Sequence, residues 1–150
     1  MKDIQPKLIR LFKEGYCTPQ IARIAREIDE PSATIHYNIK KLENAGAIKT
    51  YKAVFDYKQI NEGFCAFVLM ALSSTEYSAP EEIAGILARH REVESVDILA
   101  GEWELILKIR TKDQDEYFEF LKEVLSKQKG IAKTSSIVSL KQIKTEFVRL

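Results

Sequence analysis

The chain has only two cysteines, two histidines, one tryptophan and six glycines in 150 residues, and each shortage removes a class of chemistry. Cys17 and Cys65 stand 48 positions apart with no CxxC pair and no nearby Cys/His grouping. That spacing suggests neither a metal site nor a disulfide framework, and it fits a reducing, cytoplasmic setting. His36 and His90 are isolated, and no nucleophile elbow, glycine-rich phosphate loop or acidic metal cluster accompanies them. No cofactor and no catalytic residues are expected on these grounds. The longest apolar run, Phe64 to Leu72, is nine residues, well short of the roughly 20 that span a bilayer. With no apolar signal region at Met1-Lys2-Asp3-Ile4, a membrane is not an expected partner.

What is present is the make-up of an ordinary soluble globular protein, 45% hydrophobic and 30% charged. The sum of 23 basic and 22 acidic residues is +1, which by itself speaks against a polyanion partner. Its distribution says otherwise. Up to Ile60 there are 11 basic and 7 acidic residues, and after it 12 and 15, so a basic module of +4 precedes an acidic one of −3.

The basic module reads as three helices. Asp3 is the expected cap of the first, whose apolar face is Ile4, Leu8, Leu11 and Phe12, and Gly15 ends it. Thr18-Pro19 restarts a helix with the stripe Ile21, Ile24, Ala25 and Ile28. After the break at Asp29-Glu30-Pro31, a third helix runs from about Ser32 to Ala45 with Ile35, Ile39 and Leu42 inward and Gly46 as its stop. Such an arrangement is a helix-turn-helix with the third helix as reader of double-stranded DNA. The outward set, Ser32, Thr34, His36, Tyr37, Asn38, Lys40 and Lys41, contains no carboxylate before Glu43. Hydroxyls and amides can bond base edges or phosphates, and the lysines supply charge. From Ala47 to Asp56 the segment is β-prone, with Ile48, Val54 and Phe55 as packed residues, and predicts a strand that closes the head as a wing or leads out of it. Its Lys49 and Lys52 suit phosphate contact or, equally, protection of an exposed strand edge.

The acidic module reads strand, helix, strand, strand, helix, strand. Phe64 to Ser73 is the apolar strand. Ser78 with Glu81 forms a capping box before a helix whose face is Ile83, Ile86, Leu87 and His90. Val93 to Leu99 and Glu104 to Thr111 make a hairpin across Ala100-Gly101-Glu102-Trp103. Asp113 with Glu116 caps a helix whose apolar side is Tyr117, Phe118, Phe120, Leu121, Val124 and Leu125. After Gly130 a last strand lies within residues 131–147, Ile137, Ser139 and Lys141 alternating with Val138, Leu140 and Gln142. The fold class is therefore α+β, a helix-turn-helix followed by a ferredoxin-like βαββαβ unit with both helices on one side of the sheet. Phe64, Phe67, Leu69, Ile98 and Ile106 are expected on the open face, too many to leave in water, so a homodimer formed sheet to sheet is expected. Trp103, at a tight turn flanked by Gly101 and acids, marks the place in this module to look for a ligand.

These residues resemble the Lrp/AsnC family, the feast/famine transcription regulators, over essentially the whole chain. The likeness rests on Asp3 with Leu8 and Leu11, on Ile24-Ala25, on Leu42-Glu43-Asn44-Ala45-Gly46-Ala47-Ile48 followed by Tyr51, and on Asp56 and Gly63 in the linker. It continues in Gly101-Glu102-Trp103-Glu104, similar to the family's Gly-Asp-Tyr-Asp hairpin, and in Thr134-Ser135-Ser136, similar to its Thr-x-Thr. The resemblance implies a DNA-binding head over residues 1–50, a strand or linker over 51–63, and an effector-binding and oligomerisation domain over 64–150. It also implies dimers that assemble into tetramers or octamers, and a small-molecule effector, usually an amino acid, at sites between dimers. Carried over by position, Gly101, Glu102, Trp103, Glu104, Thr134 and Ser136 become the effector candidates. The chain departs from the family at Trp103 and its two flanking glutamates, which enlarge the hairpin side chains, and in the head at Asp29, Pro31 and Asn38. Two other functions stay open from sequence: an enzyme resembling siroheme decarboxylases, and a sensor or assembly protein without DNA binding.

Overall fold

A computed structural model describes residues 3–75 and 79–144. The chain divides into two units, Met1–Val54 and Phe55–Leu150.

The first unit holds three helices, α1 (Gln5–Glu14), α2 (Ile21–Ile28) and α3 (Ser32–Asn44). Asp3 starts α1 from one position further out than expected: Ile4 is the cap, and Asp3 Oδ1 accepts the Gln5 N–H at 3.0 Å. Thr18 and Pro19 lie outside α2, which begins after Gln20. The turn between α2 and α3 is made by Asp29 in the left-handed conformation (φ 53°), its N–H returning to the Ala25 carbonyl. A short polar side chain tolerates that conformation where most residues do not. Only Ile35 of α3 is buried; Ile39 is half-buried and Leu42, expected inside, is 48% exposed. Ile4, which caps α1, and Leu8 and Phe12 within it are likewise exposed, so this unit presents apolar surface that its own helices do not cover.

The wing strand expected over residues 47–56 is absent. Leu42 O catches the Ala47 and Ile48 N–H groups at 3.0 and 3.2 Å, and the chain then runs on without regular structure. Val54, expected to pack, is exposed. A β-prone pattern becomes a strand only where another strand offers its backbone groups, and none of the described residues of this unit forms one.

The second unit is β1 (Phe64–Leu72), α4 (Pro80–Leu87), β2 (Val93–Ile98), β3 (Leu105–Thr111), α5 (Gln114–Glu123) and β4 (Ile131–Val138), with one 3-10 turn at Leu125–Lys127. The sheet order is β2-β3-β1-β4 with every pairing antiparallel, which is the ferredoxin-like topology the sequence predicts. Ala66, Val68, Met70 and Leu72 of β1 and Leu105, Leu107 and Ile109 of β3 face Ile83 and Leu87 of α4 and Tyr117 and Phe120 of α5. Each Val, Leu, Ile, Met or Phe side chain among them taken fully out of water contributes about 1.5–3 kcal/mol. Asp113 caps α5 by accepting the Glu116 N–H at 2.9 Å, as expected.

Several details differ from the sequence reading. Ser78 lies outside the described residues; α4 starts at Pro80, with Ala79 before it. Phe118 points outward at 59% exposure, because the apolar arc of α5 is narrower than its composition suggests. Phe64 belongs to the helix-covered face, its ring 5.2 Å from that of Tyr117. Ile98 pairs with Leu105 and so shares that face also, although it is exposed beyond the helices. Phe67, Leu69 and Ile106 do occupy the open face, joined by Ile137 opposite Phe67. β4 ends at Val138 rather than continuing through Gln142: Val138 already lies opposite Ala66, and with Ser139 N–H on Cys65 O the strand reaches the start of β1.

Candidate nucleic-acid interface and effector site

The α3 face is built by exclusion. Ile35 is buried and Ile39 half-buried, so Ser32, Thr34, His36, Tyr37, Asn38, Lys40 and Lys41 are all left exposed on the rest of the helix. Two of them are already engaged. Asn38 Nδ2 donates to the Thr34 carbonyl at 2.9 Å, one helical turn back. Lys40 Nζ donates to Glu43 Oε2 at 2.7 Å, while Glu43 Oε1 accepts the Tyr51 hydroxyl at 3.0 Å. The Lys40 bond, followed by that from Tyr51, holds the Glu43 carboxyl below its ordinary range and raises Lys40. Lys41, Lys49 and Lys52 are exposed. The face thus offers hydroxyls, a ring, an imidazole and cations to a polyanion, with Lys40 partly neutralised by its neighbour.

Sequence reasoning missed three groups here. Glu43 is an organising acceptor, joining the end of α3 to Tyr51. Arg23 and Arg26 are exposed on α2, opposite its apolar stripe of Ile21, Ile24 and Ala25. The signal for the arginines was present, since the first helix of a helix-turn-helix crosses the phosphate backbone.

In the second unit, the structure separates the effector candidates into two groups. The hairpin turn, with Gly101 at φ 145°, closes by Leu99 N–H donating to Glu104 O at 2.8 Å. Glu104 is bound into the sheet: its N–H donates to Met70 O at 2.9 Å and its Oε2 accepts the Leu72 N–H at 2.7 Å. The half-buried Trp103 ring lies 4.6 Å under Lys133 Nζ, which is also 3.7 Å from Glu102 Oε1. Thr134 and Ser136 sit elsewhere. They lie opposite Met70 and Val68, whose side chains face the helices. Ser136 Oγ accepts the Tyr117 hydroxyl at 2.7 Å, and burial pushes that phenol up despite the bond. Thr134 lines a cleft of about 370 Å³ with Leu121, Leu125, Ser126, Gln128 and Ile131. The cleft is within the size range of small-molecule sites, and its lining mixes apolar side chains with the polar groups of Ser126, Gln128, Lys133 and Thr134. Lys133, which the sequence did not single out, borders the cleft and reaches the hairpin as well.

The family model described as the Lrp/AsnC ligand binding domain matches residues 65–148. An uncharacterized HTH-type transcriptional regulator of Pyrococcus horikoshii is 32% identical over 150 residues, covering 98% of this chain and all of that one. The chain belongs to the Lrp/AsnC family. Among solved structures, the AsnC family transcriptional regulator from Agrobacterium tumefaciens matches at a TM-score of 0.76 and 22% identity, over 100% of this chain and 97% of that one. The Neisseria meningitidis regulator NMB0573, solved in complex with L-Met, matches at 0.74 and 23% identity, over 97% and 93%. Both show that the fold of this Lrp/AsnC protein extends over its two units. No helix among the described residues is long and apolar enough to cross a membrane.

Proposed function

We propose that this Lrp/AsnC protein is a transcriptional regulator that reads double-stranded DNA with α3, and that a small molecule, an amino acid by preference, modulates its assembly or its DNA affinity. The observation that carries the reading is the α3 face: from Ser32 to Leu42 every outward side chain is neutral or cationic, on a helix anchored by Ile35. In this reading Lys41, Lys49 and Lys52, with Arg23 and Arg26, hold phosphates. Ser32, Thr34, His36, Tyr37 and Asn38 supply discrimination between bases, and Lys40 contributes as far as Glu43 releases it.

Two copies of α3 in successive major grooves need a dimer. The open sheet face with Phe67, Leu69, Ile106 and Ile137 supports one formed sheet to sheet, with tetramers or octamers built from it. Effector candidates are the hairpin residues Gly101, Glu102, Trp103 and Glu104 and the cleft residue Thr134, with Ser136 behind it. The L-Met complex of the Neisseria regulator supports an amino acid. An effector acts by binding one assembly more tightly than another. A regulator of this kind works in the cytoplasm, as a binding protein and not as an enzyme. The test is a gel shift on DNA upstream of its own gene at stated salt, with and without a panel of amino acids. Retarded complexes whose affinity or size changes with one amino acid are expected. No retardation at low salt defeats the reading.

A further inference from the structure

Arg110 is the one arginine that the described residues bury. Its side chain is 7% exposed, and it lies on β3 opposite Cys65, on the sheet face away from the helices. Three groups from three parts of the second unit converge on it. Nε donates to Glu94 Oε2 of β2 at 2.7 Å, and Nη2 donates to Gln142 Oε1, beyond β4, at 2.9 Å. The guanidinium carbon stands 3.5 Å above the centre of the Tyr57 ring. Lys108 completes the arrangement by donating to Glu94 Oε1 at 2.8 Å.

Tyr57 is the informative partner. It opens a turn tied to itself: Lys58 N–H donates to Asp56 Oδ1 at 3.1 Å, and Glu62 N–H to Tyr57 O at 2.8 Å. That turn precedes β1 and follows Val54, the last residue of the first unit, by three positions. A planar cation stacked on a ring, with its edge bonded to a carboxylate and an amide, is a well-directed fastening and not a diffuse contact. Three residues reach at most about 10 Å, whereas the ten from Phe64 back to Val54 reach about 33–36 Å when extended. With Tyr57 fastened, the head's point of departure is confined; with it loose, the turn loses its fastening to Arg110 of β3 and the departure point is less confined.

We propose that Arg110 and Tyr57 form a latch that fixes where each head leaves the sheet, and so sets the effective concentration of the second head once the first has bound DNA. Both are positioning residues and neither touches DNA. The proposal rests on the regulator reading above. Linked sites gain affinity according to the volume their tether allows, so releasing the latch costs two-headed binding and spares one-headed binding.

The experiment compares the full-length protein on two duplexes obtained by in vitro selection from random DNA. One spans two successive grooves about 34 Å apart and the other holds a single half. Tyr57→Leu removes the stack and leaves Arg110 its carboxylate and amide, so the domain keeps its charge balance. The expected result is a ratio of full-site to half-site affinity about tenfold below wild type, with half-site affinity and thermal midpoint retained. Tyr57→Phe keeps the ring and should keep the wild-type ratio. Arg110→Lys, which lacks the planar fork, should behave as Tyr57→Leu. The proposal is overturned if Tyr57→Leu keeps the wild-type ratio, if it weakens both duplexes equally, or if Tyr57→Phe loses as much as Tyr57→Leu. If wild-type protein selects no duplex, the regulator reading itself fails and takes the latch with it.

Discussion

The Glu43 carboxylate accepts the Tyr51 hydroxyl at 3.0 Å, eight positions further along the chain, while its second oxygen holds Lys40. The end of α3 is thus bonded to the segment that leaves it, and Lys40, one of the cations of its exposed face, is held by the same carboxylate. Glu43→Gln keeps an acceptor for Tyr51 and removes the charge opposing Lys40. The variant should bind DNA more tightly at low salt, and its slope of log affinity against log salt should steepen by about 0.9, one added phosphate contact. Lys41→Ala should flatten the wild-type slope more than Lys40→Ala does. Fluorescence anisotropy across a salt series on one labelled duplex checks all three.

Glu94 predicts how the second unit responds to acid. Burial raises its carboxyl, but the bonds from Lys108 and Arg110 outweigh burial and hold it below the ordinary 4.5. A carboxyl lowered in the folded state stabilises the fold above its unfolded value and loses that contribution as pH falls through its folded value. The wild-type thermal midpoint should therefore fall as pH is taken below about 4.5, and Glu94→Gln should lack that part of the slope. At pH 7 the same variant should be less stable by about 1–3 kcal/mol, since the buried Arg110 loses its counter-charge. Thermal melts from pH 3 to 7 read both effects.

Two glycines should respond to alanine with opposite signs. Gly15 sits at φ 98°, and an added Cβ there would meet Thr50 Oγ1 at 2.7 Å and Tyr51 O at 3.3 Å. Gly15→Ala should cost the first unit about 1–3 kcal/mol, the range for left-handed strain. Gly85 lies inside α4 with nothing within 4 Å of an added Cβ. Gly85→Ala should stabilise by about 0.5–1 kcal/mol. Denaturant melts of the two variants against wild type measure the difference.

Trp103 is the single tryptophan of the chain, so its emission reports the hairpin alone. Lys133→Met removes the cation 4.6 Å from its ring and should shift the emission without any ligand. If the hairpin contributes to the effector site, titration with the amino acid that alters the gel shift should also change Trp103 emission, and saturate at the same concentration. An amino acid that changes DNA binding and leaves the emission flat places the effector away from Trp103, with the Thr134 cleft as the remaining candidate.

Much of this was legible in the sequence because local and long-range signals agreed. The alternation in β3 and the apolar run of β1 each fit one strand, and the Asp113 cap fits one helix start. The outward set of α3 followed from Ile35 and Ile39. What was not legible depends on partners that a linear pattern does not name. Residues 47–56 have strand composition and no strand beside them. Phe64 was grouped with Phe67 and Leu69 although alternation along β1 puts it on the other face, and Ile98 was misplaced because its face is set by register: it lies opposite Leu105, and β2 slips between Val93 and Ser95. Lys133 carried no sequence signal at all. Its meeting with Trp103 joins positions 30 apart that only the pairing of β1 with both β3 and β4 brings to one end of the sheet.

That pairing also bears on how the chain is made. β1 is the most apolar strand and occupies the interior of the sheet, yet its partner β4 meets it across a gap such as Phe67 to Ile137. On the ribosome, at about 5–20 residues per second, β1 waits roughly 3–13 s after its own synthesis before β4 exists to cover its second edge. During that interval a nascent strand of nine apolar residues is open to other chains, while the three helices ahead of it need only local contacts to form. The vulnerable moment in the life of this regulator is therefore the wait for its last strand.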